Sequence, residues 1–188
     1  MLTDPYASGV LTRERHARLV ANIDNFAADA GIQPFWLTRR MSDVCSPLEL
    51  EFVRRLPFLC DENGKFSFAY VGSDAVNPVE TRMAAMAACL LRNFRRARVM
   101  HLGHVLDIIA EGETPQARIL LIPNFFLAAE EGGEVRPWLK MGLLDLLYQR
   151  QAKGLPTVIA ISSLKMLEKQ YGSQFRAFID NHYQTLTL

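Results

Sequence analysis

Residues 66–81 read Phe-Ser-Phe-Ala-Tyr-Val-Gly-Ser-Asp-Ala-Val-Asn-Pro-Val-Glu-Thr, and this stretch decides the fold that the sequence predicts. It begins with an apolar run from Phe66 to Val71, which is typical of a buried strand. A short polar loop starts at Gly72, and the Ala- and Met-rich segment 78–94 has the length and composition of a helix. The stretch therefore predicts a strand, a loop and a helix in immediate succession.

The loop has the frame of a phosphate-binding loop without its ligand-contacting residues. Such a loop reads G-x-x-x-x-G-K-[S/T] between a strand and a helix. After Gly72 this chain has Asn77, Pro78 and Val79 where glycine, lysine and serine or threonine would stand. Asn-Pro-Val-Glu instead has the spacing of a capping box, with Asn77 as the N-cap and Glu80 as its partner. An ordinary capped helix that never bound phosphate explains the same residues.

Size and composition predict a globular protein of the cytoplasm. The chain has 188 residues, of which 49% are hydrophobic and 22% charged, and its net charge is +1. This charge provides no overall attraction to nucleic acid or to membranes. No apolar run approaches the roughly 20 residues of a membrane span, and the N-terminus lacks the pattern of a signal peptide. Cys45, Cys60 and Cys89 form neither a disulfide framework nor a zinc pattern, which suits a reducing compartment.

The chain divides into an N-terminal helical segment, residues 1–60, and an α/β core, residues 61–188. Apolar spacing predicts N-terminal helices over 12–30 and 46–60. The second helix begins with the capping box Ser46-Pro47-Leu48-Glu49, and the N-terminal segment is expected to pack on the core.

Strands and helices alternate through the core. A turn is predicted at 61–64, strands at 66–71, 97–101, 118–122, 157–161 and 182–188, and helices at 78–94, 102–110, 135–152 and 164–171. This alternation predicts an α/β fold with a mainly parallel five-stranded sheet flanked by helices.

One segment carries a resemblance to a known family. Residues 143–164 read Leu-Leu-Asp-Leu-Leu-Tyr-Gln-Arg-Gln-Ala-Lys-Gly-Leu-Pro-Thr-Val-Ile-Ala-Ile-Ser-Ser-Leu, and Tyr171-Gly172 follows. The segment resembles the AAA+ ATPase core of DnaC-like helicase loaders and IstB-like transposition helpers. In these families an Arg-containing turn leads to Gly-Leu-Pro-Thr, to the sensor 1 strand and later to Tyr-Gly. The resemblance extends over about two-thirds of the chain and implies a P-loop-NTPase-like, AAA+-like sheet; because the chain ends near the last strand, we expect no lid domain.

Every catalytic position departs from the pattern of that family. Phosphoryl transfer depends on a lysine, on magnesium ligands and on arginine. The lysine position falls at Pro78, the arginine finger falls near Phe178, and Arg176 lies close by. The degenerate nucleotide site comprises Gly72, Asn77, Pro78 and Glu80 in the loop, Pro123 and Asn124 in Walker B, and Ser163 in sensor 1. The resemblance therefore implies a pseudo-ATPase with a degenerate Walker A and Walker B, no catalytic residues, and neither cofactor nor metal.

A protein that keeps this frame without its chemistry is expected to act through protein–protein contacts. The candidate partners are an AAA+ protein such as a helicase loader, a helicase, a transposition protein, or a second copy of the chain. The contact residues would be Asp74 on the nucleotide side and Tyr171 and Arg176 on the finger side. The alternative is a small-molecule or nucleotide-binding enzyme with a remodelled pocket beyond the carboxyl edge of the sheet.

A third hypothesis is a nucleic-acid-binding module. Arg92, Arg95, Arg96 and Arg98 cluster where a helix ends and a strand begins, and they could contact phosphates. Basic residues are also favourable at a helix C-terminus, so the cluster has a structural explanation as well.

Two smaller patterns have simpler explanations. His101, His104 and Asp107 have the spacing of metal ligands, but no fourth ligand is evident. The acidic run at 130–134 is expected to be a solvated connection. No G-x-S-x-G elbow is present, so the sequence gives little support to a nucleophilic hydrolase.

Overall fold

A computed structural model describes residues 4–58, 65–126 and 137–188. The predicted turn at 61–64, the acidic run at 130–134 and Cys60 lie outside these ranges. The helices are α1 (Arg13–Ala21), α2 (Ile23–Asp29), α3 (Pro47–Arg55), α4 (Val79–Arg92), α5 (Leu102–Ala110), α6 (Pro137–Ala152), α7 (Leu164–Tyr171) and α8 (Ser173–His182). The strands are β1 (Ser67–Val71), β2 (Ala97–Val99), β3 (Ile119–Ile122), β4 (Thr157–Ile161) and β5 (Tyr183–Thr187), and short 3-10 helices span Pro34–Thr38 and Met41–Asp43.

The five strands form one parallel sheet in the order β2-β3-β4-β1-β5. Phe68 of β1 pairs with Val158 of β4 on one side and with Gln184 of β5 on the other. The predicted parallel five-stranded sheet is confirmed. Because the strands are parallel, the loops that follow β1, β3 and β4 meet at one edge of the sheet, which is where ligands bind in open α/β folds.

Helices cover both faces of the sheet, as buried parallel strands require. Alternating β1 side chains separate the two cores, since Phe68 and Tyr70 face α3 and α4 while Ala69 faces the other layer. On that second face, α5, α6, α7 and α8 pack against β3 and β4.

The N-terminal helices pack on the outer side of α4. Leu11, Leu19, Ala27 and Leu37 cluster around Ala88 of α4. The division of the chain at residue 60 stays a prediction. In the described ranges, no helix is both long and apolar enough to cross a membrane.

The single helix predicted over 12–30 is wrong in one respect, because it is broken at Asn22. The backbone of Asn22 leaves helical geometry (φ −129°, ψ 33°), and its side-chain amide donates to Arg18 O at 3.2 Å. Asparagine competes with the helix for backbone groups in this way, and apolar spacing does not reveal it. α3 ends at Arg55, short of the predicted limit. α8 was not predicted, although Phe175, Phe178 and Ile179 have helical spacing and are buried.

Candidate functional site

The loop between β1 and α4 is folded around the carboxylate of Asp74. Asp74 Oδ1 accepts hydrogen bonds from the N–H groups of Val76 (2.9 Å) and Asn77 (3.2 Å). Asp74 Oδ2 accepts from Arg82 Nη2 at 2.6 Å. An aspartate that binds backbone N–H groups two and three residues ahead forms a compact turn. The loop therefore contains its own anion and its own cation.

Arg82 connects this loop to the buried core. Its Nε donates to Asn77 O at 3.0 Å, and its Nη1 donates to Glu49 Oε2 at 2.7 Å. Glu49 lies on α3 and is fully buried, and Arg82 is buried on α4. Tyr70 of β1 donates its hydroxyl to Glu49 Oε1 at 2.6 Å. A continuous chain of hydrogen bonds thus joins β1, α3, α4 and the loop.

The charged groups in this hydrogen-bond network stabilise one another. The hydrogen bond from Arg82, followed by those from Val76 and Asn77, lowers the pKa of Asp74 below its ordinary value. Burial lowers the pKa of Arg82, but the hydrogen bond to Asp74 and the charges of Glu49 and Asp74 outweigh it and raise that pKa overall. Burial and the Glu49 charge raise the pKa of Tyr70, so its hydroxyl is a neutral donor.

The capping box predicted at Asn77 and Glu80 is wrong. α4 begins at Val79, its N-cap is Pro78 (φ −53°, ψ 150°), and no side chain caps it. The N–H of Asn77 donates to Asp74, and the C=O of Asn77 accepts from Arg82. These two hydrogen bonds place Asn77 in the turn rather than at the cap. The capping box predicted at Ser46-Pro47-Leu48-Glu49 has its hydrogen bond to the glutamate, since Ser46 N–H donates to Glu49 Oε2 at 2.7 Å.

Gly72 is needed where β1 enters the loop. Its φ is +107°, a conformation that side chains disfavour, and a Cβ there would lie 3.0 Å from Leu188 O. Gly72 N–H donates to Ile161 O, and Leu188 N–H donates to Val71 O, both at 2.9 Å. The segment after β5 thus lies directly against the start of the loop.

The residues that follow β3 and β4 also serve the fold. Pro123 is buried, and the side-chain oxygen of Asn124 accepts from Phe126 N–H at 3.0 Å. Phe125 is fully buried, and its N–H donates to Ala160 O at 2.9 Å. Ser163 caps α7, with its Oγ accepting from Met166 N–H at 3.1 Å.

Comparison with solved structures identifies the architecture. The chain matches no protein-family model and no curated protein sequence. The DnaI structure is similar over 83% of this chain and 90% of its own, with a TM-score of 0.56 and 12% identity. The DnaC helicase loader is similar over 81% and 98%, with a TM-score of 0.58 and 13% identity. AMPPCP-bound DnaA from Aquifex aeolicus is similar over 79% and 49%, with a TM-score of 0.56 and 10% identity.

The chain has an AAA+-like fold.

In this AAA+-like fold, the residues predicted to lie at or beside the arginine-finger position are more buried than expected. Tyr171 was predicted as a contact residue, but it lies in the core, where its hydroxyl donates to Phe125 O at 2.8 Å. Its ring packs against Phe125 and Phe175. Phe178, near the finger position, is also buried. Arg176 is at the surface, with its Nε 2.6 Å from Asp180 Oδ2.

The Arg-containing turn of the matched segment has a structural role. Arg150, at the end of α6, is buried and donates to Thr157 Oγ1 (2.9 Å), Ala117 O (2.9 Å) and Pro156 O (2.8 Å). Burial lowers the pKa of Arg150 to about 10. These bonds hold the start of β4 beside the segment that leads into β3.

The predicted arginine cluster is only partly at the surface. Arg92 is buried and donates from Nη1 to Trp36 O (3.1 Å) and Leu37 O (3.2 Å), and burial lowers its pKa. Its guanidinium therefore joins α4 to the N-terminal segment and is little exposed to a nucleic acid. Arg95 is half-buried, and Arg96 and Arg98 are exposed.

His101, His104 and Asp107 are exposed at α5. Within residues 4–58, 65–126 and 137–188, no group of three His, Cys, Asp or Glu side chains is arranged to hold a metal ion.

Proposed function

We propose that this AAA+-fold protein does not hydrolyse ATP and acts by binding another AAA+ subunit, such as a helicase loader, or a helicase. The observation that carries the proposal is the position of the Asp74 carboxylate. In a phosphate-binding loop, backbone N–H groups and a cation contact the phosphates. Here the N–H groups of Val76 and Asn77 and the guanidinium of Arg82 contact Asp74 instead. A nucleotide phosphate would have to displace an ion-paired carboxylate and would be repelled by it.

The other strand ends support the same proposal. Asn124 and the buried Pro123 supply no carboxylate for magnesium, and the Ser163 hydroxyl is occupied as a helix cap. The residues at the degenerate positions thus form turns and helix caps, as expected of a protein in which these positions have no catalytic role.

The tip of the loop is suited to protein contact. Val76 is 84% exposed, and Ala75 beside it is also exposed. Because Asp74 and Arg82 fix the loop, little ordering entropy would be lost when a partner covers this apolar tip. Arg176 lies on α8, two residues before the finger position, and its partly exposed guanidinium forms an ion pair with Asp180 that a partner could contact. A partner that binds one or both surfaces as AAA+ neighbours do would need no nucleotide from this chain.

Calorimetric titration tests the absence of nucleotide binding. Mg-ATP and AMPPCP at millimolar concentration are expected to give no specific heat with this chain. DnaA from Aquifex aeolicus with AMPPCP serves as the positive control. Micromolar affinity of the present chain for either nucleotide would contradict the proposal.

Cross-linked affinity capture with identification of the bound proteins tests the contact surfaces. Val76→Glu and Arg176→Glu should each reduce capture of AAA+ proteins or helicases. The matched controls are Leu48→Glu, also at an exposed apolar residue, and Arg54→Glu, at an exposed arginine of α3. Circular dichroism confirms folding. If both folded variants retain all the partners of the parent, these surfaces are not the interface.

A further inference from the structure

An arginine-lined groove lies at the edge of the sheet opposite the Gly72 loop. Its volume is about 760 Å³, and it lies between the N-terminal helices, the end of α4 and the start of β2. It is lined by one acidic residue, Asp29, and by four arginines, Arg18, Arg95, Arg96 and Arg98. Within the described part of the chain, none of these four guanidinium groups is paired with a carboxylate. The groove therefore has an uncompensated positive charge.

Phe94 forms the boundary between this groove and a second one. The second groove has a volume of about 340 Å³, shares Phe94 and Arg95 with the first, and adds Arg118. Phe94 is 65% exposed. Phe94 is therefore not an isolated apolar residue at the surface, because its ring has arginines without a carboxylate partner on both sides.

The backbone presents Phe94 in a constrained position. Its φ is +58°, which is unfavourable for a bulky side chain. Its N–H donates to Leu91 O at 2.9 Å, and its ring stacks on His16 at 5.9 Å with 11° between the planes. His16 Nδ1 accepts from Thr12 N–H at 2.9 Å, so the Nε2–H donates to Arg92 O at 3.1 Å. The supporting imidazole is therefore held at both nitrogens, and the ring of Phe94 is exposed on a rigid base.

We propose that these two grooves bind single-stranded nucleic acid. A base stacks on Phe94, and the backbone phosphates contact the arginines on either side of it. Exposed aromatics within a basic groove are the general means of binding single strands, because every base has a face that can stack. In a duplex the bases are already stacked and are unavailable to Phe94. An acidic peptide would be attracted to the arginines but would not require the aromatic ring.

Fluorescence anisotropy with an oligothymidylate of about 16 nucleotides tests the proposal. Phe94→Ala should weaken binding about tenfold, whereas Phe94→Trp should retain it, because tryptophan also stacks. If the role of Phe94 is purely structural, a Phe94→Ala variant that circular dichroism shows to be folded should bind as tightly as the parent.

The salt dependence of the affinity tests the arginines. Each phosphate neutralised on a single strand contributes about −0.7 to the slope of log K against log salt. Arg96→Gln with Arg98→Gln should therefore reduce the slope by about 1.4. The matched control is Arg40→Gln with Arg54→Gln, two exposed arginines that line neither groove, and it should leave the slope unchanged.

Four results would overturn the proposal once circular dichroism shows the variants to be folded. They are no binding at low salt, equal affinity for a duplex, complete competition by poly-glutamate, and an affinity unchanged in Phe94→Ala. Because the grooves are remote from the Gly72 loop, none of these results bears on nucleotide binding.

Discussion

Asp74 and Asn77 lie three residues apart in one loop but contribute differently to it. The Asp74 carboxylate accepts hydrogen bonds from three donors, whereas the Asn77 side chain has no hydrogen bond within the described residues. Asn77→Ala should therefore change the free energy of unfolding by less than about 0.5 kcal/mol. Asp74→Ala should destabilise the protein more, because it leaves Arg82 without one of its carboxylates. Urea unfolding of both variants measures this, and equal effects would contradict the role assigned to Asp74.

The lowered pKa of Asp74 predicts how its contribution varies with pH. A carboxyl group whose folded pKa lies below its unfolded value stabilises the protein above the unfolded value. This contribution is lost as the pH falls from 3.8, the ordinary value, through the lower folded pKa. The difference in unfolding free energy between the parent and Asp74→Asn should thus be greatest near neutral pH and shrink below 3.8. A difference that stays constant over this range would show that the ion pair with Arg82 does not form.

At the scale of elements, Glu49 and Arg82 join α3 to α4. Removing one partner from a buried ion pair leaves an uncompensated charge and costs about 3 kcal/mol or more. We expect a loss of this size for Glu49→Gln in urea unfolding. Tyr70→Phe is the comparison, because it removes only the hydroxyl that donates to Glu49 and should cost about 1 kcal/mol. A loss in Glu49→Gln no larger than that in Tyr70→Phe would argue against the ion pair as the main link.

The start of α7 allows a second test at this scale. Ser163 Oγ is the acceptor that caps this helix. Ser163→Ala should cost about 1 kcal/mol, and Ser163→Asp should restore most of it, because aspartate is an equally good N-cap. Chemical unfolding of the two variants measures both values. If alanine is neutral at this position, the cap assigned to Ser163 does not contribute to stability.

At the scale of the whole molecule, a nucleotide site would require residues from three strand ends. Pro78→Lys should therefore give no Mg-ATP affinity by itself. Asp74 still contacts the N–H groups of the loop, and Pro123 and Asn124 still supply no magnesium ligand. Calorimetry measures the outcome. Micromolar ATP affinity in this single variant would mean that the site is far less altered than the loop geometry indicates.

The sequence predicted the regular elements with considerable accuracy. The bounds of α5, β4 and α7 agree with the prediction, because apolar runs and their flanking glycine, proline and serine residues act locally. The break at Asn22 and the cap of α4 were wrong. In both cases polar groups of the chain compete for the same backbone N–H or C=O, and the spacing of residue types does not reveal which one succeeds.

Local patterns in the sequence were enough to predict the order of the strands, the parallel sheet, and the helices apart from α8 and the break at Asn22. They also showed that the expected positions lack the residue types that phosphate and magnesium need. Only the tertiary structure decided which polar groups replaced them. Glu49 and Arg82 are 33 residues apart, and Arg92 and Trp36 are 56 apart. Their hydrogen bonds exist because helix packing brings these groups together in a buried environment, where an unpaired charge is costly. Packing also left Phe94, Arg96 and Arg98 exposed while it buried Arg92, and this distinction defines the surface available to a ligand.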